Sequence, residues 1–408
     1  MAYVPPHKRN SKDKETTPYV DDRLQIHRNY RHKTTSEPHS KWFIVPSIHS
    51  NQPMKFIKWE AQARDDMLIL VSDPPVEAKK QTEATDSDSN NPTIYVCNYL
   101  PRIDFEQRNM EVYEIANNSV NSPWRCIEKE IQGELVSALK NLRSEMSKPK
   151  SGLVISPSFI VRLGTNFFDA KNVVNLESLN NLPFKTALSE LYRGHDTHVP
   201  SSFTESIRTE VVPKLGLEFH AEKEYYHVTV VDKYGHGYFA CKCAVNKAVG
   251  ELDLCKIGLT PKRHLILDIS YLDKKLDPRL MLSAKRVFTT FSTAEVRLSL
   301  SQLMKSAIID PKEKGGLRWP AENNPLFSRY VIDKVLHTTS QVFKSSTMKL
   351  KLSNTDEFYY ATSAYCVDQP VILEMTEIER RLCDEAAELD PIVGMVRDTL
   401  KLLWEHFP

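Results

Sequence analysis

Two periodicities organise most of this chain. Between about residues 222 and 246 the period is two: Tyr226, Val228 and Val230 alternate with His227 and Thr229, and Phe239, Cys241 and Cys243 alternate with Ala240 and Lys242. The turn-forming Gly235-His236-Gly237 between these runs predicts a hairpin, and the runs 252–259 and 264–271 extend it into an antiparallel meander. Aromatic and β-branched content predicts further strands at 41–46, 54–60, 67–71, 93–100, 153–161, 330–342, 348–352 and 357–364.

The second period is helical. After Asn121, Ser122 suits an N-cap and Pro123 a first helical position, and Trp124, Ile127, Ile131, Leu135, Ala138, Leu142 and Met146 recur at steps of three and four. Asp277 with Pro278 predicts a second helix start. Ser292 with Glu295 forms a capping-box pattern ahead of Val296, Leu300, Leu303, Met304 and Ala307, and Asp390-Pro391 opens a last helix carrying Ile392, Val396, Leu400, Leu403, Trp404 and Phe407. Residues 174–215 read as short helices with loops, and 311–325 as a long loop.

Neither period holds from Met1 to about Ser40, or across a polar tract near 74–91. Stretches so poor in apolar side chains cannot offset the entropy of ordering, so both are expected to be disordered. Strands linked by hairpins and interrupted by helices, without helical crossovers, predict an α+β fold of antiparallel sheets packed against helices, behind a disordered N-terminal arm. The predicted organisation is an arm at 1–40, an α+β unit at 41–215 containing the 74–91 loop, and a second α+β unit at 216–408, separate from or continuous with the first.

Composition narrows the function classes. The 54 basic and 53 acidic side chains leave a net charge of +1, so attraction to nucleic acid or lipid has to be local. Seven thinly spread cysteines read as reduced thiols, and no run reaches the ~20 apolar residues of a membrane span. The first residues are polar and basic, unlike a secretory leader, so cytoplasm or nucleus is the expected location. No Gly-x-Ser-x-Gly, phosphate-cradling Gly-rich loop or dinucleotide fingerprint occurs, which removes support from the common hydrolase, nucleotide-triphosphatase and dehydrogenase classes, and no cofactor is expected.

Four clusters remain. His227-Val-Thr229 and His337-Thr-Thr339 are two His-x-Thr units on predicted strands, the arrangement of two-histidine phosphoesterases, in which paired imidazoles act as acid and base. Cys241-Lys-Cys243, with Cys255 and His236 nearby, invites zinc. Side chains two apart on a strand stand roughly 7 Å apart, too far for sulfurs sharing one ion, so these thiols read as core and no metal is expected. Gly194-His195-Asp196-Thr197-His198 reads as a surface turn. Lys312, Lys314, Arg318 and Trp319 surround Gly315-Gly316, a combination able to contact a phosphate backbone and stack on a base. The arm adds Lys8 and Arg9 among further cations with interspersed tyrosines.

The opening Met1-Ala-Tyr-Val-Pro-Pro-His-Lys-Arg9 resembles the start of a plant family of uncharacterised proteins. The resemblance continues through Lys41-Trp-Phe, Ser122-Pro-Trp124, His264-Leu-Ile-Leu-Asp-Ile-Ser270 and Leu276-Asp-Pro-Arg-Leu-Met-Leu282. It is sharpest at Asp310-Pro-Lys-Glu-Lys-Gly-Gly-Leu-Arg-Trp-Pro320 and Leu403-Trp-Glu-His-Phe407. That family implies a domain of unknown function and no assigned catalytic residues. Tyr3-Val-Pro-Pro-His-Lys-Arg9 is also similar to a Tyr-Ile-Pro-Pro-His-Leu-Arg element near the start of some DEAD-box RNA helicases, with Lys8 in place of the apolar anchor and no helicase core following. The leading expectation is a binding or adaptor protein with a protein partner and an association with RNA or RNA processing, its contacts made by Lys8, Arg9, Lys312, Lys314, Arg318 and Trp319. The alternative is a phosphoesterase-like enzyme using His227, Thr229, His337 and Thr339.

Overall fold

The structure, a computed structural model, describes residues 39–45, 56–62, 67–72, 111–114, 122–148, 152–169, 192–234, 237–246, 248–271, 274–288, 294–320 and 329–408. The arm, the 74–91 tract and the strand predicted at 93–100 lie outside them, as do Lys8 and Arg9.

Eight strands form a ring in which every neighbouring pair is antiparallel. In ring order they are β5 (Leu153–Asp169), β10 (Asp277–Phe288), β9 (Glu251–Tyr271), β8 (Gly237–Asn246), β7 (Glu218–Asp232), β13 (Tyr330–Lys344), β14 (Lys349–Tyr359) and β16 (Val371–Glu374). β10 runs beside β5 through twelve register positions and beside β9 on its other side. β16 closes the ring, pairing Leu350↔Leu373 with β14 and Val161↔Leu373 with β5. A closed sheet leaves none of these strands with an open edge over the paired lengths. Strands from both sides of the 215/216 position build this one barrel.

The remaining strands attach to it. β1 (His39–Val45) lies parallel to the end of β9 and to β4 (Glu111–Glu114). β2 (Phe56–Gln62) and β3 (Met67–Ser72) form a hairpin reaching β5, β6 (Tyr192–Asp196) pairs with β5, and β15 (Ala364–Asp368) with β14. β11 (Ile308–Ile309) and β12 (Leu317–Arg318) pair separately.

Which face of the barrel is outside follows from parity. Val335 and Phe343 are eight residues apart on β13, so they share a face. Val335 belongs to an apolar cluster with Val228, Val230, Cys241 and Cys243 beneath α3 (Ala294–Lys305), through Leu300, Leu303 and Met304. Phe343 belongs to another, with Phe159, Val161, Leu280 and Leu282, beneath α1 (Pro123–Met146), α4 (Thr376–Cys383) and α5 (Leu389–His406). Two separate helical layers on one face of a closed sheet place that face outside. The opposite face encloses a lumen.

Several expectations are corrected. Asp277-Pro278 starts a strand: Leu280, Leu282 and Ala284 point out to the core while Arg279, Met281 and Ser283 point inward, and the Asp277 carboxylate accepts hydrogen bonds from the backbone N–H groups of Tyr271 (3.0 Å) and Asn166 (2.8 Å). The runs 252–259 and 264–271 are one strand, whose bulged register absorbs Pro261, and 348–352 with 357–364 is mostly one strand ending at Tyr359. The helix α4 goes unsignalled because its eight residues bury only Ile378 and Leu382. His195 is a buried strand residue rather than part of a surface turn; its Nδ1 lies 2.9 Å from Asn166 Oδ1. Among the described residues no helix is long and apolar enough to cross a membrane.

Inside the barrel Arg279 grips Asp268 with two hydrogen bonds, Nε to Oδ1 at 2.6 Å and a terminal nitrogen to Oδ2 at 3.0 Å. The side chains are 6% and 0% exposed, so removing one charge leaves the other buried with less compensation. Asp268→Asn is expected to destabilise the fold by about 3–5 kcal/mol, measured as a lowered urea midpoint at unchanged slope.

Candidate anion-binding site in the barrel

Alternation decides what the lumen contains. On β7 the outward residues Tyr226, Val228 and Val230 are buried under α3, so Lys223, Tyr225, His227 and Thr229 point inward. Register then carries this face around the ring: His227 stands beside Leu336 and Lys242, Lys242 beside Lys256, and Thr229 beside Lys334. On the far wall Lys349 and Lys351 of β14 share a face with Glu374 and Ile372 of β16, and Lys285 of β10 faces in beside Ser156. Lysines from β7, β8, β9, β10, β13 and β14 therefore converge on one interior.

Their partners differ. Lys334 donates to Glu357 at 2.6 Å and sits 4.9 Å from the Tyr359 ring. Glu374 accepts from Lys349 at 2.7 Å and from Lys351, and Lys285 stands 3.5 Å from Glu379 of α4. Lys223, Lys242 and Lys256 have no ion pair among the described residues; the Lys242 ammonium instead lies 3.8 Å from the Tyr225 ring centroid. Hydroxyls complete the wall, with Thr338 and Thr355 in contact at 3.1 Å and Ser340 and Ser353 at 2.8 Å. The paired lysine side chains of β13 and β14 keep 22–25% exposure, so water reaches this part of the lumen.

The charges act on one another across the cavity. Burial lowers the pKa of Lys242, and Lys351, Lys223 and Lys349 lower it further. Lys351 is also lowered, by burial that Glu374 only partly offsets. Burial raises the Glu374 carboxyl, but Lys351 and the hydrogen bonds from both lysines outweigh it and hold the group at about 2. His227 is driven down to about 4, first by burial and then by Lys242, Lys351, Lys334 and Lys256. It is a neutral imidazole in a cationic chamber at neutral pH.

The four proposed phosphoesterase residues do not meet. His337 pairs with Tyr226, one position from His227, and its ring stacks on the Tyr226 ring at 4.4 Å, on the outer face. Its Nε2 lies 3.0 Å from Glu224. Thr339 is outside with it, while Thr229 and His227 are inside, so the two imidazoles cannot serve one substrate as acid and base. A groove of about 830 Å³ beneath α2 (Ser201–Ser206) is bordered by Glu205, Arg208, Glu222, Glu224 and Gln341, and reaches the strand positions of Lys223, Ser340 and Ser353.

The Gly315-Gly316 loop also lies outside the lumen. Trp319 is half-buried against the core, its indole N–H donating to the Leu303 carbonyl (2.9 Å) and its ring meeting Tyr360 edge-on. Arg318 pairs with Asp310 at 3.2 Å, and Lys312 and Lys314 are exposed. Cys241 and Cys243 are fully buried under α3 and Cys255 is exposed. Among the described residues no three His, Cys, Asp or Glu side chains are grouped to hold a metal.

Comparison with known proteins adds a family and a set of distant shapes. A family model described as a domain of unknown function (DUF7903) matches residues 102–407. No curated protein matches the chain. Among solved structures, the Pct1 RNA triphosphatase of S. pombe is similar at 10% identity and a TM-score of 0.37, over 68% of this chain and 93% of that one. The PH1012 protein of Pyrococcus horikoshii OT3 (10% identity, TM-score 0.24) covers 51% of this chain and 86% of its own. A putative adenylate cyclase from Bacillus halodurans (10%, 0.23) covers 52% and 89%.

A histidine held at about 4 when folded and near ~6.5 when unfolded binds its proton better in the unfolded chain. Its contribution to stability is therefore present above ~6.5 and lost as pH falls toward 4. His227→Gln is expected to flatten the dependence of the urea midpoint on pH between ~6.5 and ~4, measured against the unaltered protein at pH 7, 5.5 and 4.5.

Proposed function

We propose, on the premise that the chain belongs to the family described as a domain of unknown function (DUF7903), that its barrel binds a phosphate-rich polyanion. The observation that carries this reading is Lys242: a half-buried ammonium without an ion pair among the described residues, pressed by Lys223, Lys349 and Lys351. Gathering like charges in a partly desolvated space costs free energy, and a multiply charged anion entering between them offsets that cost. Lysines bind phosphate as point charges, and the Ser340, Ser353, Thr338 and Thr355 hydroxyls supply neutral donors beside them.

Size narrows the ligand. The interior of an eight-stranded barrel admits side chains or one small ligand, so a nucleic-acid duplex is excluded and a short chain of phosphates fits. Such a chain occurs free, on a nucleoside, or at the 5′ end of an RNA; the last source joins this reading to the RNA association expected from the basic arm. His227 is the one imidazole of the earlier histidine pair that faces the ligand, which favours a single-histidine site over two-imidazole cleavage.

Calorimetry of the full-length protein with inorganic tripolyphosphate, ATP, 5′-triphosphorylated RNA and 5′-hydroxyl RNA tests the reading and separates the sources. Tripolyphosphate is expected to bind with an affinity that falls as salt rises. Lys242→Ala and Lys351→Ala are each expected to weaken it about 10- to 100-fold, the loss of one charged hydrogen bond, while His337→Ala on the outer face leaves it unchanged. Absence of binding by every phosphorylated ligand, or binding indifferent to both lysine substitutions, would refute the proposal.

A further inference from the structure

His227 occupies an unusual position for a titratable group. Its own strand presents Tyr225, whose ring meets the imidazole edge-on at 5.0 Å. β8 contributes Lys242 directly beside it, β9 Lys256, β13 Lys334 and β14 Lys351. The nearby carboxylates are engaged by lysines: Glu357 accepts from Lys334, and Glu374 from Lys349 and Lys351. The charged groups that act most strongly on the imidazole are the lysines Lys242, Lys351, Lys334 and Lys256.

This arrangement has a direction. The lysines carry their protons already, and the imidazole is the group in the chamber whose charge can still increase near neutral pH. An anion lying among Lys242, Lys351 and Lys256 would offset the positive potential that these lysines impose on the ring. We propose that His227 is the proton-accepting member of the site: the empty barrel keeps it neutral, a bound polyanion converts it to imidazolium, and ligand and proton bind together. The proton comes from solvent and resides on the imidazole, leaving one ring N–H more to donate to the ligand.

This inference rests on the polyanion reading and adds a pH sense to it. Affinity rises as the medium becomes mildly acidic, by up to about tenfold per pH unit while one proton is taken up. The outer His337 serves as an internal contrast, since it pairs with Glu224 away from the lumen.

The test is calorimetry of the full-length protein with inorganic tripolyphosphate at pH 6, in buffers of different ionisation enthalpy, for the unaltered chain and for His227→Gln. Subtracting the variant removes protons exchanged by the ligand itself. The expected result is that both bind and that the unaltered protein takes up about half to one proton more per ligand. Equal proton uptake by the two, with binding intact, overturns the proton linkage and leaves the polyanion reading standing; no binding by the unaltered protein overturns both. The imidazole C–H resonance of His227 in the unaltered protein gives a reading independent of the variant's folding: its midpoint is expected to move from below pH 5 to above pH 6 when tripolyphosphate saturates the protein. A midpoint that stays in place would equally sink the idea.

Discussion

Everything distinctive about this molecule depends on closure of the sheet. β10 joins β9 to β5, and the four residues of β16 join β5 to β14. Without those seams the polar face of β7, β8, β13 and β14 would look onto bulk solvent, where lysines repel one another weakly through a high dielectric. With them, the half-buried Lys242, Lys334, Lys349 and Lys351 share one interior, while Lys223 and Lys256 on the same face remain exposed. Local strand chemistry is ordinary; its enclosure is what makes it strong.

The barrel divides its cations by how they are matched. Arg279 is locked to Asp268, Lys334 to Glu357, and Lys349 with Lys351 to Glu374, whereas Lys223, Lys242 and Lys256 have no ion pair among the described residues. Fixed pairs set the shape of the interior, and the unmatched charges set its potential. The depressed His227 is the sharpest reading of that potential, because burial and four lysines all act on it in the same sense.

Much of the architecture was legible in the sequence. The long helix after Ser122, the hairpin around residue 235 and the last helix after Asp390 all announce themselves by period, and each buries the face its spacing implies. The site was only half legible. His227 and Thr229 stood out as a motif, but the lysines did not, because Lys242 between two cysteines and Lys349-Leu-Lys351 read as the solvated edge of amphipathic strands. Period two says which residues share a face and is silent on whether that face looks out or in. The partnership of His227 with His337 failed for a related reason: both lie on strands, but a difference of one register position sends them to opposite sides, and register is set by pairings more than a hundred residues apart. A signal was present in the repeated placement of lysine opposite buried apolar positions on several successive strands, more than one exposed face ordinarily needs.

The final seam also governs how the chain reaches this state. β5 is complete by Asp169, yet one flank must wait for β10 and the other for β16, over two hundred residues later. On a ribosome adding about 5–20 residues each second, that leaves a partly assembled wall for many seconds, its strands lacking their final neighbours. Pairing so distant is slow to form, and the half-built intermediate is the species that a chaperone would have to guard. The lysine-bearing strands pair with one another directly, and only the seam made by β16 is needed to complete the ring around them.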